Sequence, residues 1–216
     1  MVGLEGEAMP VTVVDHPVVQ EALARLRDKA TPTPAFRREL RRVGWALGYA
    51  ALGDAPQAIG SIETPLATAR VLRMAEPGPA LVTVLRAGNG LLEGLQELLP
   101  EAPVGHLGLY RDHQTLEARA YYRRLPGELG RRIVLLCDPM LATGGTAIAA
   151  VAQLLEAGAR DIRYLALVAA PEGIAKVERS HPVLRIWTAA VDQRLNEQGY
   201  ILPGLGDAGD RLYGTG

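Results

Sequence analysis

One stretch constrains this chain more than any other: RRIVLLCDPMLATGGTAIAAVAQLLEAG, Arg131 to Gly158. Ile133 to Cys137 is a short unbroken apolar run, as expected of a strand buried on both faces of a parallel sheet. From Ile148 the pattern turns helical, with Ile148, Val151, Ala152 and Leu155 at three- and four-residue steps and Gly158 placed as a C-terminal cap. The connection, Asp138 to Thr146, is a strand-to-helix loop at the end of a core strand, where open α/β sheets place their ligands.

The loop's residues carry a chemistry of their own. Gly144 and Gly145 let a ligand approach the main chain closely. The N–H groups of Ala142 to Thr146 are expected to converge on one concavity, backed by the positive end of the helix, with hydroxyls from Thr143 and Thr146. That suits a phosphate dianion. Asp138 would repel the phosphate, so it needs sugar hydroxyls or a metal ion as its partner. Together these features suggest a sugar phosphate. A triphosphate-binding loop needs a lysine after its glycines, and here Thr146 follows Gly145 directly. The G-x-G-x-x-G spacing of a dinucleotide site is also missing. The bland alternative is a tight turn with N-capping threonines.

A second strand end repeats the logic. Ala80 to Leu85 reads as a buried strand running into Arg86-Ala87-Gly88 and a helix through Leu91, Leu92, Leu95 and Leu98. Arginine offers a fork of donors to diphosphate oxygens, whereas a lone arginine by default pairs with a surface acid. Two strand-end anion sites in one α/β chain favour the functional reading. Further strands are expected at Val11 to Val14, Pro103 to Leu109, Ile162 to Ala169 and Leu184 to Trp187. A helix is expected from Pro17 to about Lys29, and another through Phe36, Leu40, Val43 and Leu47. The second helix's Arg37, Arg38, Arg41 and Arg42 read as a solvated face. Residues 58–73 are consistent with a hairpin or a helical piece. The arginine-rich excursion after Leu109 suits a lid, a hairpin or a strand joining a partner subunit. His113 and Glu117 within it read as an accidental rather than a metal-binding pair, and the glycine-rich end from Ala190 reads, on composition alone, as a flexible tail.

At 216 residues the chain is long enough for one well-filled domain, 1–216, with a core at about 75–190. A net charge of −1 argues against extended binding to nucleic acid or an anionic membrane. The single cysteine, Cys137, excludes an internal disulfide and reads as a core residue. With no export signal in MVGLEGEAMP, a cytoplasmic location is expected.

Four motifs in order, LRAG (85–88), GLYRD (108–112), DPMLATGG (138–145) and GLGDAGDRLYGT (204–215), resemble those of the uracil phosphoribosyltransferases, members of the type I phosphoribosyltransferase superfamily. The resemblance runs from about Met9 to the end. It departs at Thr83 and Asn89, where a proline and an apolar residue are usual, and is weak over Trp45 to Met74. It implies a mostly parallel twisted sheet flanked by helices, with a protruding loop and a hood formed by the N-terminal helices and the C-terminal tail. It further implies transfer of phosphoribosyl from phosphoribosyl diphosphate (PRPP) to uracil, giving UMP and diphosphate, with Mg²⁺ carried on PRPP. Carried over by position, Arg86, Ala87, Gly88 and Arg111 hold the diphosphate, Asp138 holds the ribose hydroxyls, and Pro139, Met140 and Leu141 with Ala142 to Thr146 complete the PRPP loop. Ile201, Gly206, Asp207 and Ala208 read uracil, with Asp207 also near PRPP. A homodimer or higher homo-oligomer is implied, and activation by GTP occurs in some relatives. The rivals are a phosphoribosyltransferase for another base and a nucleotide-sensing RNA-binding regulator on the same fold.

Overall fold

A computed structural model describes residues 11–111 and 118–215. Strand β1 (Val11–Val13) leads into helix α1 (Pro17–Arg27), where Pro17 takes a first-turn position that needs no N–H and His16 caps the helix by accepting the Val18 N–H at 3.2 Å. Helix α2 (Thr33–Ala51) also opens on a proline. Residues 57–74, which periodicity leaves ambiguous, form an antiparallel ribbon of β2 (Gln57–Glu63) and β3 (Thr68–Met74), apart from the main sheet. The chain continues through β4 (Ala80–Leu85), α3 (Asn89–Leu98), β5 (Val104–Arg111) and β6 (Ala118–Arg124). Then come β7 (Ile133–Cys137), β8 (Met140–Leu141), α4 (Gly145–Glu156), β9 (Asp161–Ala169), α5 (Pro171–Ser180) and β10 (Arg185–Val191). The tail is no loose end: it forms β11 (Arg194–Leu195), β12 (Ile201–Leu202) and α6 (Ala208–Tyr213).

The main sheet runs β1-β10-β9-β7-β4-β5-β6, with β8 beside β9, and every pair is parallel except β5–β6. From β4 the chain moves outward to β5 and β6, then returns to the other side of β4 for β7, β9 and β10. The loops that leave β4 and β7 thus open at the point where the winding reverses, which is where doubly wound sheets form a crevice.

The unbroken apolar runs are explained by cover on both faces. Leu81, Leu135, Cys137, Leu165 and Trp187 pack with α1, α2, α3 and α6. Their neighbours Ala80, Val82, Leu136, Tyr164 and Ile186 face the other way, into the core that includes α4. Cys137 is fully buried, and burial pushes its thiol pKa well above the usual range, as befits a core residue.

Two expectations are corrected. The buried stripe of α4 is Ala147, Ala150, Val151 and Leu154, whereas Leu155 is exposed; the helix is apolar nearly all round, so periodicity could not fix its inner face. The α2 arginines are not merely solvated. Arg38 and Arg42 hydrogen-bond the fully buried Glu39 at 3.2 and 2.6 Å, and Arg37 donates to the Leu212 carbonyl at 2.7 Å. Burial alone would raise the Glu39 pKa, but these arginines hold it below its ordinary value. Of the alternatives open for the stretch after Leu109, the hairpin is the one found: Ala118–Arg124 pairs antiparallel with β5 of its own chain. Among the described residues no helix is long and apolar enough to cross a membrane.

Candidate active site

The crevice holds a cavity of about 380 Å³ lined by the ends of β4 and β7, the start of α4 and the C-terminal tail. It brings together Arg86, Ala87, Asp138, Met140, Ala142, Thr146, Ile201, Gly206, Asp207 and Ala208. Residues from four separate motif regions thus share one concavity.

Gly144 and Gly145 serve different ends. Gly144 caps α4 at φ +78°, and a Cβ there would press on the Gly173 carbonyl of α5. Gly145 has an ordinary φ, and the nearest atom to its would-be Cβ is Thr143 Oγ1 at 3.9 Å. The space beside Gly145 is open for a ligand, and the first N–H groups of α4 have no carbonyls within the helix to meet. Thr143 lies half-buried and Thr146 is exposed at the rim. Pro139 and Leu141 are buried under the loop rather than in the cavity, and the Pro139 carbonyl accepts the Leu167 N–H at 2.9 Å.

Asp138 is 9 % exposed, and burial pushes its pKa up to about 6 against the pull of Tyr164 and the Met140 N–H. The Tyr164 hydroxyl lies close enough to act on the carboxylate yet, among the described residues, has no hydrogen bond of standard geometry. On the facing turn, the Leu85–Arg86 peptide is cis and Arg86 is exposed. Gly88 is packed against the Thr83 hydroxyl and the Cys137 and Val84 carbonyls, so it seats the turn on the sheet instead of lining the cavity. The Thr83 hydroxyl itself is buried with no hydrogen-bond partner among the described residues. Arg111 ends β5; its side chain, with His113 and Glu117, lies outside the described residues.

The tail closes the cavity. Asn196 accepts the N–H groups of Gln198 and Tyr200 at 3.1 and 2.8 Å, folding residues 196–200 into a compact loop between β11 and β12. This places Gly199 and Tyr200 on the cavity wall, two residues just ahead of the tail motif that sequence reasoning did not single out. Leu109, inside the GLYRD motif but not singled out there, also lines the wall. Asp207 accepts the Asp210 N–H at 2.9 Å as the cap of α6, so one of its oxygens is engaged in structure. Among the described residues no three His, Cys, Asp or Glu side chains form a metal cage, and the carboxylates facing the cavity are Asp138 and Asp207.

Comparison with known proteins accords with this arrangement. The uracil phosphoribosyltransferase family profile matches residues 13–215. The chain is 51 % identical over 205 residues to the uracil phosphoribosyltransferases of Mesorhizobium japonicum and Agrobacterium fabrum, covering 95 % of this chain and 98 % of each relative. A solved structure from Aquifex aeolicus superposes with a TM-score of 0.90 at 38 % identity, over 95 % of this chain and 98 % of that one. A purine phosphoribosyltransferase structure from Pyrococcus horikoshii reaches 0.52 at 15 % identity, covering 73 % of this chain and 85 % of that one, a likeness of fold alone. By its matching profile, its relatives and its fold, the chain belongs to the uracil phosphoribosyltransferase family.

Proposed function

We propose that the cavity joins uracil to the phosphoribosyl group of PRPP, giving UMP and diphosphate. The observation that carries this is the meeting of a helix-backed glycine loop, a buried carboxylate and an arginine turn around one cavity. In this reading Ala142 to Thr146 bind the 5-phosphate, and Asp138 accepts hydrogen bonds from the ribose hydroxyls. Arg86, the Ala87–Gly88 backbone and Arg111 hold the diphosphate. Uracil N1 gives up its proton to solvent or to the departing diphosphate and bonds to ribose C1 as the C1–oxygen bond breaks, the electron pair of that bond leaving with the diphosphate. Positive charge builds on the sugar ring, as in other glycosyl transfers. Stabilising the departing diphosphate is therefore the main catalytic task.

Main-chain groups of Ile201, Gly206 and Ala208 read the base. Uracil presents a carbonyl–N–H–carbonyl edge that backbone donors and acceptors match at fixed geometry. Cytosine would set its amino group against a donor, and such a mismatch costs about 1–3 kcal/mol. Mg²⁺ fits as an ion carried on PRPP, since it keeps waters and substrate phosphates and needs only one or two carboxylates, here Asp138 or Asp207. It would neutralise charge on the diphosphate.

A homo-oligomer is supported by the β2–β3 ribbon. Ile59 and Leu72 lie opposite each other on one of its faces and stay 62 % and 65 % exposed, and a lone two-stranded ribbon gains stability when such a face is covered. Sedimentation of the chain would read a single-copy mass if this is wrong. We also read residues 1–216 as one domain, since the N-terminal helices and the tail share a core with the sheet.

The test of the reaction is turnover with PRPP and Mg²⁺ against uracil, cytosine, orotate, hypoxanthine and adenine, with and without GTP. UMP from uracil alone is the expected result, and nucleotide from another base would overturn the base assignment. Arg86→Ala should raise the PRPP KM with the fold intact, and an unchanged PRPP dependence would remove Arg86 from the diphosphate site.

A further inference from the structure

The two halves of the cavity are built by distant parts of the chain, yet a side chain from the helix of one reaches the other. Tyr213 ends α6, the six-residue helix that starts at Ala208 in the proposed base site. Its hydroxyl donates to the Arg86 carbonyl at 3.0 Å, and its ring lies 5.5 Å from the Arg86 guanidinium carbon. Tyr213 thus grips Arg86 by main chain and side chain together. Asn89 Nδ2 donates to the same hydroxyl at 3.2 Å. A phenol has one proton, so the donor from Asn89 leaves that proton free for the Arg86 carbonyl. Turning the amide round would set two acceptors against one hydrogen. Among the described residues the Asn89 Oδ1 is buried without a partner, and the amide has this contact to hold it. Asp210 of the same helix lies 3.8 Å from the Arg86 guanidinium.

We propose that Tyr213, oriented by Asn89, is a positioning residue that couples uracil binding in the tail to diphosphate binding at the Arg86 turn. The proposal rests on the assignment of these two subsites. Occupying the base site orders residues 206–208 and hence α6, whose far end fixes the Arg86 turn in its binding geometry. By linkage the effect is reciprocal: diphosphate at the turn favours uracil in the tail by the same factor. The aromatic ring also gives the guanidinium a resting place when no anion is bound, at low cost to its mobility.

The test is uracil affinity by calorimetry with and without magnesium diphosphate, for the wild-type chain, Tyr213→Phe and Asn89→Leu, alongside steady-state kinetics. In the wild type, diphosphate should tighten uracil binding several-fold. Tyr213→Phe keeps the ring and loses the hydroxyl; it should bring that ratio close to one and raise the PRPP KM about 5- to 10-fold while kcat changes less. Asn89→Leu should act in the same direction with a smaller effect. A purely structural role would lower the melting temperature and leave the ratio at its wild-type value. An unchanged ratio in Tyr213→Phe overturns the proposal. A wild-type chain that binds no uracil at all would instead overturn the base-site assignment, so the two failures are distinct.

Discussion

The guanidinium of Arg27 and the carboxylate of Asp192 meet through two parallel hydrogen bonds, 2.9 Å and 2.5 Å long, and the same Asp192 oxygen that takes the longer one also accepts the Gly204 N–H at 2.9 Å. Arg27 returns to the Gly204 carbonyl at 2.8 Å. The end of α1 and the end of β10 therefore hold one residue of the tail from both sides, just ahead of Gly206 and Ala208. Asp192→Asn would keep an acceptor for Gly204 and set an amide donor against an arginine donor. Removing one member of so enclosed a pair costs about 2–4 kcal/mol. The expected outcome is a uracil KM raised roughly tenfold with the PRPP KM changed far less, read by steady-state kinetics at saturating co-substrate.

The buried Asp138 predicts a pH limb. Its folded pKa lies near 6, above the ordinary carboxylate value, because burial disfavours the charge. Below that pH it is protonated and offers the ribose hydroxyls a poorer acceptor, so kcat/KM for PRPP should fall as pH drops below about 6. Phosphate groups titrate in the same range. Comparing Asp138→Asn separates the two: the variant should start lower and lose the part of the limb that belongs to Asp138. The stability sign is opposite to that of a paired acid. The folded chain binds this proton more tightly than the unfolded one, so the contribution of Asp138 to stability declines as pH rises from about 4 to 6 and is constant above.

At the other end of the strands, Arg163 is 2 % exposed and ties three elements together. It donates to the Ala51 carbonyl, to Asp54 at 2.6 Å and to Asp161 at 2.8 Å, and Arg185 bridges the same two acids. Arg163→Met should cost about 2–3 kcal/mol, or about 5–10 °C in Tm for a chain this long, with both KM values unchanged. The Asp54 pKa is lowered chiefly by its Arg185 hydrogen bond, and Asp161 is lowered despite burial by Arg163 and Arg185. Their stabilisation is present above the unfolded carboxylate pKa and is lost as pH falls through the lower folded values. Melting curves below pH 4 should therefore differ less between wild type and Arg163→Met than those at pH 7.

The glycine pair can be separated by single methyl groups. Gly144→Ala forces a side chain into the left-handed region against Gly173, which should cost about 1–3 kcal/mol of stability as well as PRPP affinity. Gly145→Ala has neither problem and adds its methyl group to the open space. It should leave the melting temperature within about 1–2 °C while raising the PRPP KM at least tenfold. Equal melting temperatures for the two variants would contradict the distinct roles.

Much of the site was legible because its chemistry is local. A strand end, a glycine loop and a helix start lie within one run at residues 133–156, so the motif and one wall of the cavity coincide. The same holds for Arg86 to Gly88, although Gly88 proved to be a packing requirement. What the sequence concealed depends on distant partners. Glu39 is fully buried, and Arg25 of α1 reaches it as well as its own neighbours Arg38 and Arg42, which no helical wheel of α2 alone reveals. Asp192 and Tyr213 look like ordinary polar residues until Arg27 and Arg86 are brought beside them, more than a hundred positions away. The tail is the sharpest case: its composition reads as flexible, and only the Asn196 turn and the ribbon β11–β12 make it a wall.

The pairing of β1 with β10 has a consequence for how the protein is made. Val11 lies against Ile186, so the first strand waits for nearly the whole chain before its neighbour exists. During synthesis α1 and α2 emerge with their apolar faces uncovered, and the tail that lines the cavity follows only after the strands it packs against. Such long-range parallel pairing is slow and leaves sticky surface exposed in the interval. Nascent chains stopped short of Ile201 hold the glycine loop yet lack the tail residues of the cavity wall, so under the proposed roles such a product should bind phosphate without selecting a base.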